Sequence, residues 1–262
     1  NSTIMAALDG AGILQLLFLK SAGSIAGSQA LQESVSAAAQ LRRVMRPQYP
    51  LELHANEMGA TRLRRQHPEW PKLWDKVVPL VLSRHVHALL QGGRGIEVFV
   101  HKLAALAHTS YLRTIFIDND VQVLQPSLMH TLLSATLSLV DVAMPLDINR
   151  GSGAFEVAPP LCSCLIAYNS TTARALWQGA TRRLIHHMHT SVRQTDQEMI
   201  WFEWTRNQSH LRVLALPEEY YCPIPSTSAP VWRTSGWPFD QHKCRSTHIH
   251  NTHVHLSAEL VT

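Results

Sequence analysis

The chain has 262 residues, 45% hydrophobic and 16% charged, with a formal net charge of +4. That length and apolar share suffice for a sizeable core in one large domain, and no segment has the composition of a disordered acidic or basic tail. The positive excess suits an anionic small substrate; it is too diffuse for nucleic acid, because no basic stripe interleaved with aromatics occurs.

Residues 4–19 are apolar but interrupted by Asp9, Gly10, Gly12 and Gln15, and too short for a membrane span. Any membrane anchor is therefore expected upstream, outside this chain. Residues 14–19 predict a first strand, ending in the small-residue turn Ser21-Ala22-Gly23-Ser24. A helix is predicted over 28–46, with Leu31, Val35, Ala38 and Met45 on one side, and Pro47 and Pro50 stop it. A second strand over 51–54 completes a βαβ opening. Open α/β sheets bind ligands at the carboxyl ends of their strands, which puts Ser21 and Gly23 among the candidate cofactor-binding residues. The turn is not a Gly-x-Gly-x-x-Gly fingerprint, so a dinucleotide is a weak expectation. The stretch 61–95 reads as mixed, with a turn and short helix over 68–74 and a glycine-rich loop over 92–95. A helix over 98–108 then carries Lys102 and feeds the next strand.

That strand, 114–117, runs into Asp118-Asn119-Asp120 before a second apolar run over 121–124. In extended backbone, residues two apart share a face, so Asp118 and Asp120 would crowd two like charges beside apolar neighbours. A hard divalent cation with oxygen ligands relieves that cost; a solvated turn is the competing reading, since Asp and Asn are turn residues. Pro126 fits a first helical turn, a helix follows over 128–139, and strands are predicted over 140–146 and 161–168. Asn169-Ser170-Thr171-Thr172 caps a helix in which Ala173, Leu176, Trp177, Ala180, Leu184 and Met188 recur at helical spacing. Thr195 and Glu198 form a capping box around Asp196 and Gln197, so a helix-stabilising role for Asp196 competes with a chemical one. Of the cysteines, Cys162 and Cys164 lie two apart in a predicted strand and would bridge only with distortion, leaving Cys222–Cys244 as the expected disulfide. Residues 247–255 carry His248, His250, His253 and His255, which cannot all share one face of a single strand. Sequons at Asn1, Asn169 and Asn207 point to a secretory lumen.

The order of these motifs resembles that of the nucleotide-diphospho-sugar transferases of the GT-A fold. The likeness lies in the lysine helix around Lys102, the strand 114–117 entering Asp118-Asn119-Asp120, and the apolar run closed by Pro126. Thr195-Asp196-Gln197, Leu216-Pro217 and Ile249-His250-Asn251 resemble later landmarks of that family. It implies a Rossmann-type α/β/α sandwich with a mixed central sheet. A nucleotide-binding half would span about 11–125 and an acceptor-side half about 126–262. It further implies an enzyme that transfers a sugar from a UDP- or GDP-sugar to a glycan or glycoprotein, with Mn2+ or Mg2+, and with retention of configuration. On the same resemblance Asp120 and Asp118 bind metal with His250, while Lys102, Asp118 and Asn119 face the nucleotide. Asp196 and Gln197 serve the catalytic side of the cleft, and the setting is the Golgi lumen, in a type II membrane protein. One departure stands out: where the family has an Asn-Ser-Gly-like turn, this chain has Cys162-Ser163-Cys164. The alternatives are an inactive nucleotide- or sugar-binding domain of the same fold, or a metal-dependent hydrolase built on the histidine tail.

Overall fold

A computed structural model of the chain describes residues 10–20, 25–45, 48–90, 96–125, 127–145, 161–187, 195–206, 211–216, 222–224 and 246–249. Ser21, Gly23, Cys244, His250, His253 and His255 lie outside the described residues, so the expectations placed on them have no structural counterpart here.

The chain opens as βαβ, as its patterning predicts: β1 (Ala11–Leu17), α1 (Ile25–Met45) and β2 (Leu51–Ala55). Every residue of β1 and β2 is buried, as strands covered on both faces must be. Next come α2 (Glu57–Gln66), a 3-10 turn at Trp70–Lys72, β3 (Lys76–Pro79), α3 (Arg84–Leu90) and α4 (Glu97–His108). Three of these, α2, β3 and α3, resolve the stretch that sequence left as mixed. Asn56 caps α2, its side chain accepting from the Gly59 amide at 3.0 Å.

Then follow β4 (Arg113–Ile117) and β5 (Val121–Val123), and a helix α5 built from Ser127–His130, a π-helical segment Thr131–Thr136 and Leu137–Leu139. The chain continues through β6 (Val142–Pro145), β7 (Leu165–Asn169), α6 (Ser170–His187), α7 (Asp196–Arg206), β8 (Val213–Leu216), β9 (Cys222–Ile224) and β10 (Ser246–Ile249).

Seven strands form one sheet in the order β3-β2-β1-β4-β7-β6-β8. Pairing is parallel except where β7 runs antiparallel to both β4 and β6, so the sheet is mixed. One apolar cluster lies between the sheet and α1 and α5, with Leu31, Leu41, Leu128 and Leu132 meeting Ile13, Leu53 and Ile115. A second lies between the other face and α4, α6 and α7, with Val100, Leu103, Trp177 and Ile200 meeting Leu14, Phe116 and Tyr168. These layers make the predicted α/β/α sandwich. A small second sheet, β5-β10-β9, continues from β4 past the acidic triplet. Its register sets the backbone of His248 opposite Val121, one residue beyond Asp120. No helix among the described residues is long and apolar enough to cross a membrane.

Three expectations are corrected. The strand predicted over 161–168 begins only at Leu165, because Ser163 and Cys164 form a turn. That turn folds Cys162 back toward Cys164 with their Cα atoms 5.5 Å apart, and the two are bridged. A continuous strand would have spread them further. The acidic triplet is likewise no stretch of extended chain. Asn119 and Asp120 form a turn closed by the Val121 amide on the Asp118 carbonyl at 3.0 Å, as their turn chemistry favours.

Candidate active site

Strand β4 delivers Asp118 to the carboxyl edge of the central sheet, beside the ends of β1 and β7. Its amide donates to the Cys164 carbonyl at 2.9 Å, which ties the acidic turn to the Cys162-Ser163-Cys164 turn. Asn119 has a structural role, since its Nδ2 donates to the Leu16 carbonyl at 2.7 Å and so anchors the turn to β1.

Lys102 is the centre of the constellation. It is only 6% exposed, which rules out a solvated helix-face lysine. Its Nζ lies 2.8 Å from Asp118 Oδ2, 3.2 Å from Asp196 Oδ2 and 3.2 Å from Ser163 Oγ. The ammonium also sits 5.0 Å from the centroid of the Phe116 ring. Burial disfavours its charge, yet the carboxylates of Asp118 and Asp196 outweigh that and hold the lysine above its ordinary pKa. Burial likewise pushes the Asp118 carboxyl up, to about 6; Lys102 opposes the shift, and the charges of Asp120 and Asp196 add to it. Two carboxylates thus meet one buried cation, with the charge of Asp120 acting on Asp118 beside them, and the site favours added positive charge.

Asp196, 3% exposed, is the first residue of α7. The capping box beside it is present and reciprocal. The Thr195 amide donates to Glu198 Oε2 at 2.7 Å and the Glu198 amide to Thr195 Oγ1 at 3.5 Å. Cap and chemistry prove compatible, because Thr195 and Glu198 hold the helix start while Asp196 turns to Lys102. Gln197 follows on the same first turn, half-buried, beside Trp201 and Met144.

The structure thus brings together Lys102, Asp118, Asp120 and Asp196 from separate places in the sequence. Ser163 was missed. Its signal was the small-residue pair Cys-Ser breaking an apolar run, read as strand because the cysteines are themselves apolar. Among the described residues, no three His, Cys, Asp or Glu side chains converge as a metal cluster.

A cavity of about 920 Å3 is lined by Phe18, Leu19 and Lys20 after β1, by α2, by the segment after β3, and by Glu97 and His101 of α4, but by none of Lys102, Asp118, Asp120 and Asp196. It opens at the carboxyl ends of β1, β2 and β3, next to the strand that carries Asp118.

No protein-family model matches the chain, and no curated protein sequence does. Solved structures do. The glycosyltransferase GlyE of Streptococcus pneumoniae superposes with a TM-score of 0.60 at 11% identity, over 90% of this chain and 54% of GlyE. The chain thus spans about half the length of GlyE. Mouse xyloside xylosyltransferase 1 gives a TM-score of 0.55 at 13% identity, over 92% of this chain and 97% of that one. The galactosyltransferase LgtC, solved with donor and acceptor sugar analogs, gives 0.54 at 11% identity, over 91% of this chain and 87% of LgtC. At such identities the likeness is one of architecture, and the mixed seven-stranded sheet between two helical layers is the architecture of the GT-A glycosyltransferases.

Proposed function

We propose that the chain transfers a sugar from a nucleoside-diphosphate donor, UDP- or GDP-linked, to a glycan or glycoprotein acceptor. The observation that carries this reading is the buried Lys102 ammonium, which joins the acidic turn at the end of β4 to Asp196 at the start of α7. In an open α/β sheet this is where ligands sit. The cavity at the ends of β1, β2 and β3 is of a size to hold the nucleoside, and residues 11–125 build its walls.

The residues suit a divalent cation. Carboxylate oxygens are hard donors, Lys102 engages Oδ2 of Asp118, and the charges of Asp120 and Asp196 add to the burial that raises the Asp118 pKa. Asp120 and Asp118 would hold Mn2+ or Mg2+, with a histidine from the tail after β10, His250 by the family pattern. Such an ion supplies Lewis acidity to a departing diphosphate. Lys102 fixes the Asp118 carboxylate and adds positive charge beside the phosphates. Asp196 and Gln197 line the acceptor side, built by 126–262, where they bind sugar hydroxyls. Retention of configuration is part of the same reading, on the closer resemblance to retaining families; the Lys102 ammonium, 3.2 Å from Asp196 Oδ2, engages that carboxylate in an ion pair. The corresponding setting is the Golgi lumen, the domain being carried by a type II membrane protein.

The test is thermal unfolding with UDP or GDP, with and without Mn2+, on wild type and Asp120→Ala, together with release of free sugar from the donor. The reading predicts Mn2+-dependent stabilisation, lost in the variant, and slow donor hydrolysis without acceptor. Stabilisation without turnover of any donor would make the chain a binding domain; tight metal binding with indifference to nucleotides would favour a hydrolase.

A further inference from the structure

The Cys162–Cys164 bridge spans a single residue, and that residue is Ser163, whose Oγ lies 3.2 Å from Lys102 Nζ. All three side chains are buried. The Cys162 amide donates to the Pro145 carbonyl at 2.8 Å, at the end of β6, and the Cys164 amide donates back to Cys162 Sγ at 3.4 Å. On the other side of the turn, the Cys164 carbonyl accepts from the Asp118 amide at 2.9 Å. That bond continues the β4–β7 ladder one step beyond its last pair, Ile117 with Leu165. The bridged turn therefore touches the site twice, through a hydroxyl on Lys102 and through a carbonyl on the backbone of Asp118.

A cross-link stabilises a fold mainly by restricting the unfolded chain, and the restriction grows with the loop it closes. A loop closed across one residue restricts that chain least, so this bridge acts on local geometry more than on the stability of the whole fold. Reduction replaces a bond by van der Waals contact between two thiols, which need more room in a close-packed interior. The displacement falls on the turn that carries both contacts to the site. We propose that the bridge is a redox-sensitive positioning element. Intact, it holds Ser163 against Lys102 and the Cys164 carbonyl against the Asp118 amide; its reduction by a dithiol loosens both and slows turnover. The thiolate of the dithiol attacks Cys162 Sγ, the more exposed sulfur at 9% against 3%, and expels the Cys164 thiolate, which takes up a proton. The second thiol of the reagent then attacks the reagent sulfur of the mixed disulfide, gives its proton to the departing Cys162 and leaves the reagent as a disulfide. Two electrons pass to the protein, and oxidised glutathione reverses the exchange.

The effect on turnover rests on the nucleotide-sugar reading; amide hydrogen exchange at Asp118 tests the geometry without it. Both are measured, with the melting temperature, on oxidised wild type, after dithiothreitol, after reoxidation with oxidised glutathione, and on Cys162→Ala/Cys164→Ala. Thiol labelling reports the state of the bridge. Reduction is expected to speed exchange of the Asp118 amide about tenfold, the equivalent of one weakened hydrogen bond, while β1, β2 and the melting temperature stay as they were. Donor hydrolysis at saturating UDP- or GDP-sugar with Mn2+ is expected to fall about tenfold and to recover on reoxidation. The double variant is expected to behave as the reduced protein and to ignore dithiothreitol, which separates this bridge from any other pair of cysteines. It also serves if dithiothreitol does not reach the buried sulfurs, and reduced wild type serves if the variant does not fold. Unchanged Asp118 exchange once the bridge is open, unchanged turnover by an active enzyme, or protection lost evenly over the whole sheet overturns the proposal. So does labelling of both cysteines in untreated protein. No hydrolysis of any donor by oxidised wild type overturns the nucleotide-sugar reading, and the exchange measurement then decides this proposal alone.

Discussion

A lysine taken out of water loses several kcal/mol of hydration unless opposite charge meets it. Lys102 meets two carboxylates and a hydroxyl, and it bridges the β4 turn, the Cys162–Cys164 turn and α7. Lys102→Met is predicted to destabilise the fold by about 3–5 kcal/mol, because it strands Asp118 and Asp196 without their counter-charge. Urea unfolding measures this, and Lys102→Met/Asp196→Leu should recover part of the loss, while a loss no smaller in the double variant would show that the pair is not coupled. Lys102→Arg should fold but lose donor hydrolysis, since a planar guanidinium cannot replace the compact ammonium among three partners. Sequence singled out Asp118, Asp120, Lys102 and Asp196 as chemical types in a familiar order. It could not tell the buried lysine from a solvated one, since burial here comes from α6 and α7 folding over α4. The bond from Asn119 to the backbone of β1 was not legible either, being a contact that only the pairing of distant strands creates.

Elements were legible where long apolar periods marked them, and obscure where small or polar residues carried the packing. Helix α2 buries only Gly59, Ala60 and Leu63, so it shows no apolar stripe, and β3 is a half-exposed edge strand ending in proline. The Cys-Ser-Cys turn imitated a strand because its members are small and buried on every side. Close approach between elements gives a further prediction. A Cβ on Gly12 in β1 would stand 2.4 Å from the Tyr111 ring, so Gly12→Ala should cost about 1–3 kcal/mol as the ring is displaced. On Gly179 in α6 the added methyl would meet the carboxyl end of Glu203 at 2.3 Å, a flexible tip that can swing away. Gly179→Ala should therefore be near neutral, the better helix propensity offsetting the weakened Arg183–Glu203 contact. Parallel melting curves check both; equal losses would show that the two approaches are not of different kinds.

At the scale of the whole molecule, stability and function draw on opposite ends of the same sheet. Away from the acidic turn, Glu52 and His54 on β2 are fully buried and bonded to each other, with the Ser110 amide at 3.3 Å and Lys76 Nζ at 3.7 Å from Glu52. Burial alone would raise the Glu52 pKa, but these partners hold it below its usual value. A depressed carboxyl stabilises the fold above its unfolded pKa, about 4.3, and that contribution fades as pH falls through the lower folded value. Urea stability is expected to drop below about pH 4.5. Glu52→Gln should flatten that acid limb and cost about 3 kcal/mol at neutral pH; an unchanged limb would assign the acid sensitivity elsewhere. The sandwich and its mixed sheet followed from motif order, yet the long crossovers that set β1 beside β4 and β7 beside β4 are a property of the closed fold. Function, on the reading proposed above, turns on whether the acidic turn beside Lys102 binds a nucleoside diphosphate through a divalent cation. The most direct measurement is the melting temperature of wild type and Asp120→Ala with UDP or GDP, each with Mn2+ and with chelator. A rise of several degrees in wild type that needs both Mn2+ and nucleotide, and is absent in Asp120→Ala, is the predicted result. A rise that survives chelation or the Asp120→Ala substitution, or no rise with either nucleotide, would contradict it.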